Sequence, residues 1–68
     1  MKKDFVYKGL ECFLNSNHIW KEKYDYEFTP KYTLLIKRGG SYIPETHVDT
    51  KKEALQYMKE NYIYIINR

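Results

Sequence analysis

The amino-acid sequence predicts an α+β fold: a small antiparallel sheet of three to five strands with one helix, at about residues 51–60, packed on one face. Three observations carry this expectation. Strand-forming arms flank the dipeptide Gly39-Gly40, the segment from Trp20 to Phe28 alternates apolar and charged residues, and Thr50-Lys51-Lys52-Glu53 opens an apolar stripe of helical period. With 68 residues there is room for one domain and one small core. A chain of this size buries only about 60% of the surface its unfolded form exposes.

From the N-terminal side, Phe5 to Leu14 reads either as a strand broken at Gly9 or as a strand followed by a helical turn. Asn15-Ser16-Asn17 reads as a turn. In "WKEKYDYEF", Trp20, Tyr24, Tyr26 and Phe28 point one way and Lys21, Lys23, Asp25 and Glu27 the other, as in a strand with one face in water. Thr29-Pro30-Lys31 then turns the chain, with proline at a position that suits its fixed φ.

The stretch "YTLLIKRGGSYIPETHV" is a β-hairpin, because Gly39-Gly40 tolerates the positive φ of a type I′ turn. With the two glycines as the loop, Arg38 opposes Ser41 and Ile36 opposes Ile43. Strict alternation puts Tyr32, Leu34, Ile36, Ile43, Glu45 and His47 on one face. Thr33, Leu35, Lys37, Tyr42, Pro44, Thr46 and Val48 take the other.

Thr50 and Glu53 form a capping box, in which the hydroxyl accepts from the Glu53 N–H and the carboxylate reaches back. Ala54, Leu55, Met58 and Tyr62 follow as one apolar stripe. The run Tyr62–Ile66 has two readings. As helix, Ile65 and Ile66 lengthen the stripe. As strand, the run joins the sheet beyond Asn61, and its β-branched and aromatic content favours the strand.

Composition narrows the function. The chain is 43% hydrophobic and 31% charged, which is the balance of a folded protein. Its aromatic content is dominated by eight Tyr, a residue suited to half-buried positions and interfaces. The net charge of +3 is spread over mixed signs, with no basic run longer than two residues, so a solvated surface explains it as well as a polyanion does. Cys12 is the only cysteine, which excludes an internal disulfide and suits a reducing, cytoplasmic setting. No stretch approaches the ~20 apolar residues of a membrane span, so no membrane partner is expected. The abundant Lys, Asn, Tyr and Ile all have AT-rich codons, pointing to a low-GC bacterium or to a phage or virus of such a host.

No motif calls for a cofactor, a metal or a catalytic residue. Cys12, His18 and His47 would make three zinc ligands, but none of them form a short-spaced ligand pair. Gly39-Gly40 lacks the phosphate-loop pattern and leads into a strand. Most carboxylates alternate with lysines on wet faces, against the desolvation that raises a catalytic pKa. A non-enzyme is the expectation.

The segment "VDTKKEALQYMKE" after strands resembles the end of the small three-stranded-sheet-plus-helix domains with which some phage-type integrases grip arm-site DNA. The resemblance covers about the last third of the chain. It implies a sheet that enters the major groove, with hairpin residues such as Lys37 and Arg38 on DNA. The heavier basic charge of such a sheet is missing here, so the resemblance is not adopted as an assignment.

One helix hides one face of a small sheet, yet both hairpin faces carry large apolar groups. The second face therefore awaits cover by the N-terminal segment, a second copy of the chain or another protein. The leading expectation is a small binding protein that inhibits or modulates a larger protein, with Trp20, Tyr24, Tyr26, Leu35, Tyr42 and Arg38 as contact residues. A phage-encoded antagonist of a host factor or defence complex, such as an anti-CRISPR, fits that reading. The alternative is a nucleic-acid-binding module with Lys37, Arg38, Lys21 and Lys23 on phosphates. The third is a homodimeric accessory protein.

Overall fold

The computed structural model describes residues 2–16 and 30–68. The alternating segment with Trp20, Lys21, Lys23, Tyr24 and Tyr26, and His18 before it, lies outside the described residues. The fold is α+β: the described residues form a four-stranded antiparallel sheet of order β1-β2-β3-β4 and a C-terminal helix. The strands are β1 (Phe5–Tyr7), β2 (Leu10–Ser16), β3 (Tyr32–Arg38) and β4 (Ser41–Val48), and the helix α1 is Lys51–Ile66.

Two tight turns build the sheet. Lys8 and Gly9 have φ of 46° and 84°, and Gly39 and Gly40 have 57° and 83°, positive at both central residues as a type I′ hairpin requires. Of the two readings of Phe5–Leu14, the strand broken at Gly9 is the observed one, and Tyr7 pairs with Leu10 across the turn. Asn15 and Ser16 do not turn. They continue β2 opposite Thr33 and Tyr32.

The second hairpin has the expected pairs Arg38–Ser41 and Ile36–Ile43, but the register shifts between Leu34 and Leu35. Leu35 faces Pro44 and Leu34 faces Thr46, so Glu45 is an extra residue in β4, a β-bulge. Strict alternation consequently fails after Pro44. Thr46 and Val48 lie on the helix side, opposite Leu34 and Tyr32, and His47 lies on the other side, opposite Thr33. Glu45 also turns toward the helix, where its carboxylate accepts from Tyr57 Oη at 3.3 Å and from the Arg68 guanidinium.

The tail is helix, not strand. Ala54, Met58 and Ile65 are all fully buried, and with Cys12, Leu34, Ile36 and Val48 they form the core. Spacings of four and seven keep these three on one helical face, and Ile65 needs the helical tail to reach the sheet. Burying a side chain the size of Ile65 stabilises by about 1.5–3 kcal/mol, more than the ~1 kcal/mol span of strand preference. Both helix ends are also satisfied. Thr50 Oγ1 accepts from the Glu53 N–H at 3.1 Å, and Glu53 Oε2 accepts from the Asp49 N–H at 3.2 Å. At the far end Asn67 Nδ2 donates to the Ile63 carbonyl at 2.7 Å, and Arg38 Nη1 donates to the Ile65 carbonyl at 2.6 Å. A cation there also complements the helix dipole.

Candidate docking surface

The face of the sheet turned away from α1 gathers residues from all four strands. Alternation along the paired strands places Val6, Glu11, Phe13, Asn15, Thr33, Leu35, Lys37, Tyr42, Pro44 and His47 there. The pairs Phe13–Leu35 and Leu35–Pro44 make an apolar row across β2, β3 and β4. Phe13 is only 2% exposed, and its ring meets the Tyr42 ring edge-on at 5.0 Å and 77°. Such a pair contributes about 0.5–1.5 kcal/mol beyond the area it buries. Leu35 is half-buried, Tyr42 is 40% exposed and Val6 48%.

Polar groups frame this row. The Lys37 ammonium lies 5.9 Å from the Tyr42 ring centroid and opposite both Glu11 and Tyr42. Glu11 meets Lys3 at 3.7 Å, an exposed pair that contributes little to stability. At the other end Thr33 Oγ1 and His47 Nδ1 are 3.0 Å apart.

Of the contact residues expected from sequence, Leu35 and Tyr42 come together here, with Lys37 beside them. Arg38 does not join them. It sits on the helix side, half-buried, with its guanidinium on the Ile65 carbonyl. Lys37 and Arg38, expected to act together at the hairpin tip, thus face opposite sides. Trp20, Lys21, Lys23, Tyr24 and Tyr26 lie outside the described residues. Phe13 and Val6 are additions that reading the sequence missed. The signal that would have found them is the Lys8-Gly9 turn, which fixes the register of β1 on β2 and hence their face.

Among the described residues, the titratable groups that are perturbed all belong to the helix side. Burial pushes the Cys12 thiol up to about 11, partly offset by a backbone hydrogen bond from Tyr7. A thiol held neutral in this way is a poor nucleophile. Burial, and then the Glu45 charge, raise the Tyr57 phenol. The hydrogen bond to Glu45 raises the Arg68 guanidinium, against a smaller opposing effect of burial. Cys12 and His47 lie on opposite faces of the sheet. Among the described residues no three His, Cys, Asp or Glu side chains gather as a metal site, and no helix is long and apolar enough to cross a membrane.

Comparison with protein-family models, with curated proteins and with solved structures finds no match to this chain.

Proposed function

We propose that this chain is a small non-enzymatic binding protein that docks on a larger protein through the sheet face opposite α1, as an inhibitor or modulator. One observation carries the reading: the apolar row of Phe13, Leu35 and Pro44, with a 40%-exposed Tyr42 braced against Phe13, lies on the face that the helix does not cover. A tyrosine pre-positioned by a buried ring loses little entropy on binding, and tyrosine is among the residues that dominate interface energetics. The abundance of Lys, Asn, Tyr and Ile, residues whose codons are AT-rich, favours a phage-encoded antagonist of a host factor or defence complex, such as an anti-CRISPR, working in the cytoplasm of the infected cell.

The second reading, nucleic-acid binding, is favoured by Lys37 standing beside the Tyr42 ring, a base and a stacking platform together. Affinity capture from a low-GC bacterial host, with the native chain and a Leu35→Glu/Tyr42→Ala chain as paired baits, tests the first reading. A protein retained by the native bait alone, with affinity nearly flat in salt, supports it. A nucleic acid whose affinity falls with a log–log salt slope near −0.9 per phosphate, and which Lys37→Ala releases, selects the second. Self-association of the native chain that Leu35→Glu abolishes would assign the face to a homodimer.

A further inference from the structure

Helix α1 has two wet flanks of opposite charge. At about 100° per residue, Leu55, Ile66, Lys59, Lys52 and Ile63 fall within roughly 80° of arc on one flank. This flank borders β1: the neighbouring Tyr62 ring meets Tyr7 edge-on at 5.7 Å, and the Lys8 ammonium lies 4.8 Å from the Tyr62 centroid. The carboxylates of the helix, Glu53 and Glu60, lie on the flank toward β4, where Tyr57 reaches Glu45. Leu55, Ile63 and Ile66 are all exposed, Ile63 to 67%. They interleave with exposed Lys52 and Lys59, and no carboxylate of α1 shares their arc.

We infer that this flank is a second docking surface, distinct from the sheet face, and that its occupant is an acidic amphipathic segment of another protein. The segment would lay leucine-like side chains on Leu55, Ile63 and Ile66 and carboxylates on Lys52 and Lys59. Charge complementarity selects this occupant over three others. A two-fold contact between copies of this chain would use the same patch on both subunits, bringing four lysines and no helix carboxylate into one interface. An anionic membrane needs the aliphatic groups segregated from the charges, whereas here Lys59 sits between Ile66 and Ile63 in the arc. Phosphate would engage the lysines and leave three aliphatic side chains facing a polyanion. An acidic helix packed along α1 satisfies both kinds of group at once, as amphipathic helices do in apolar grooves.

The test is an NMR titration of the isotopically labelled full chain with three probes. They are a synthetic Leu/Glu amphipathic peptide of about 16 residues, its Leu/Lys counterpart, and phosphatidylserine vesicles. The Leu/Glu peptide is expected to shift the amides around Leu55, Lys59, Ile63 and Ile66, and Ile63→Asp to weaken it about tenfold or more. Lys52→Glu with Lys59→Glu should reverse the preference toward the Leu/Lys peptide. Because these side chains are exposed, the variants keep the fold, which the unshifted amides of β2 and β3 report. The inference is overturned if neither peptide binds, if both bind equally, or if the shifts map to the sheet face. Binding of vesicles alone, or self-association that Ile63→Asp abolishes, overturns it as well. Leu35→Glu leaves this titration unchanged, so failure here and failure of the sheet face are separable.

Discussion

Leu34 and Leu35 are neighbours in β3, yet their surroundings differ. Leu34 is fully buried in the cluster with Cys12, Met58 and Ile65. Leu35 is half-buried on the opposite face, in a row with Phe13 and Pro44 and beside Lys37. The helix face is closed: its fully buried centre holds no aromatic ring, Phe5, Tyr7, Tyr32 and Tyr57 pack around it, and at its margin Glu45, 1% exposed in its side chain, pairs with Arg68. The other face mixes aromatic, aliphatic and charged groups and stays partly open. Among the described residues of the second face only Phe13 is fully buried, so its other positions can change their chemistry at less thermodynamic cost than the closed face.

Paired truncations give the largest expected contrast. Leu34→Ala should cost about 2–5 kcal/mol, enough to unfold much of a domain this size, while Leu35→Ala should cost no more than about 1 kcal/mol. Urea midpoints for the two variants measure it, and equal losses would mean that the second face is sealed as firmly as the first.

Alkaline pH sharpens the comparison, because Cys12 belongs to the closed face. Its thiol is raised from 9.0 to about 11 in the folded chain. The unfolded chain therefore releases this proton first. The stability contributed by the neutral thiol is complete below pH 9.0 and is lost as pH rises through about 11. The loss amounts to about 3 kcal/mol at ~1.36 kcal/mol per unit. Tyr57, also raised, acts in the same direction at higher pH. Denaturation followed at several pH values should show the fall, and Cys12→Ala should flatten its first part.

Deleting Glu45 probes the margin of the closed face. The pairs Leu35–Pro44 and Leu34–Thr46 become consecutive without the bulge, so every other side chain keeps its face. The expected loss is only that of the bonds to Tyr57 and Arg68, about 1–3 kcal/mol. A deletion variant that fails to fold would show that the bulge itself shapes the sheet. A comparably small effect is expected of Tyr42→Ala on the open face, about 0.5–1.5 kcal/mol for the lost ring contact. Its near-ultraviolet circular dichroism should change more than its midpoint.

Where a local signal existed, the sequence was readable. Gly39-Gly40 set the hairpin and its first pairs, and Thr50 with Glu53 set the helix start. The bulge had no comparable signal. Alternation carried past Pro44 exchanged His47 with Thr46 and Val48, because one additional residue reverses every face beyond it. The tail was ambiguous because local preference for strand competed with tertiary burial of Ile65, and burial prevailed. Of the candidate site, Leu35 and Tyr42 were legible from alternation alone. Arg38 was not, since its partner, the Ile65 carbonyl, lies 27 residues away in the chain.

The guard on β4 has a consequence for how the chain behaves in bulk. Among the described strands β1 and β4 are the edges. β1 spans only three residues; β4 spans eight, but Pro44 offers no N–H and the bulge beside it interrupts the ladder. A further strand laid along β4 would find its hydrogen-bonding rhythm broken near the middle. Among the described strands, β4 is therefore a poor template for edge-to-edge pairing with another copy.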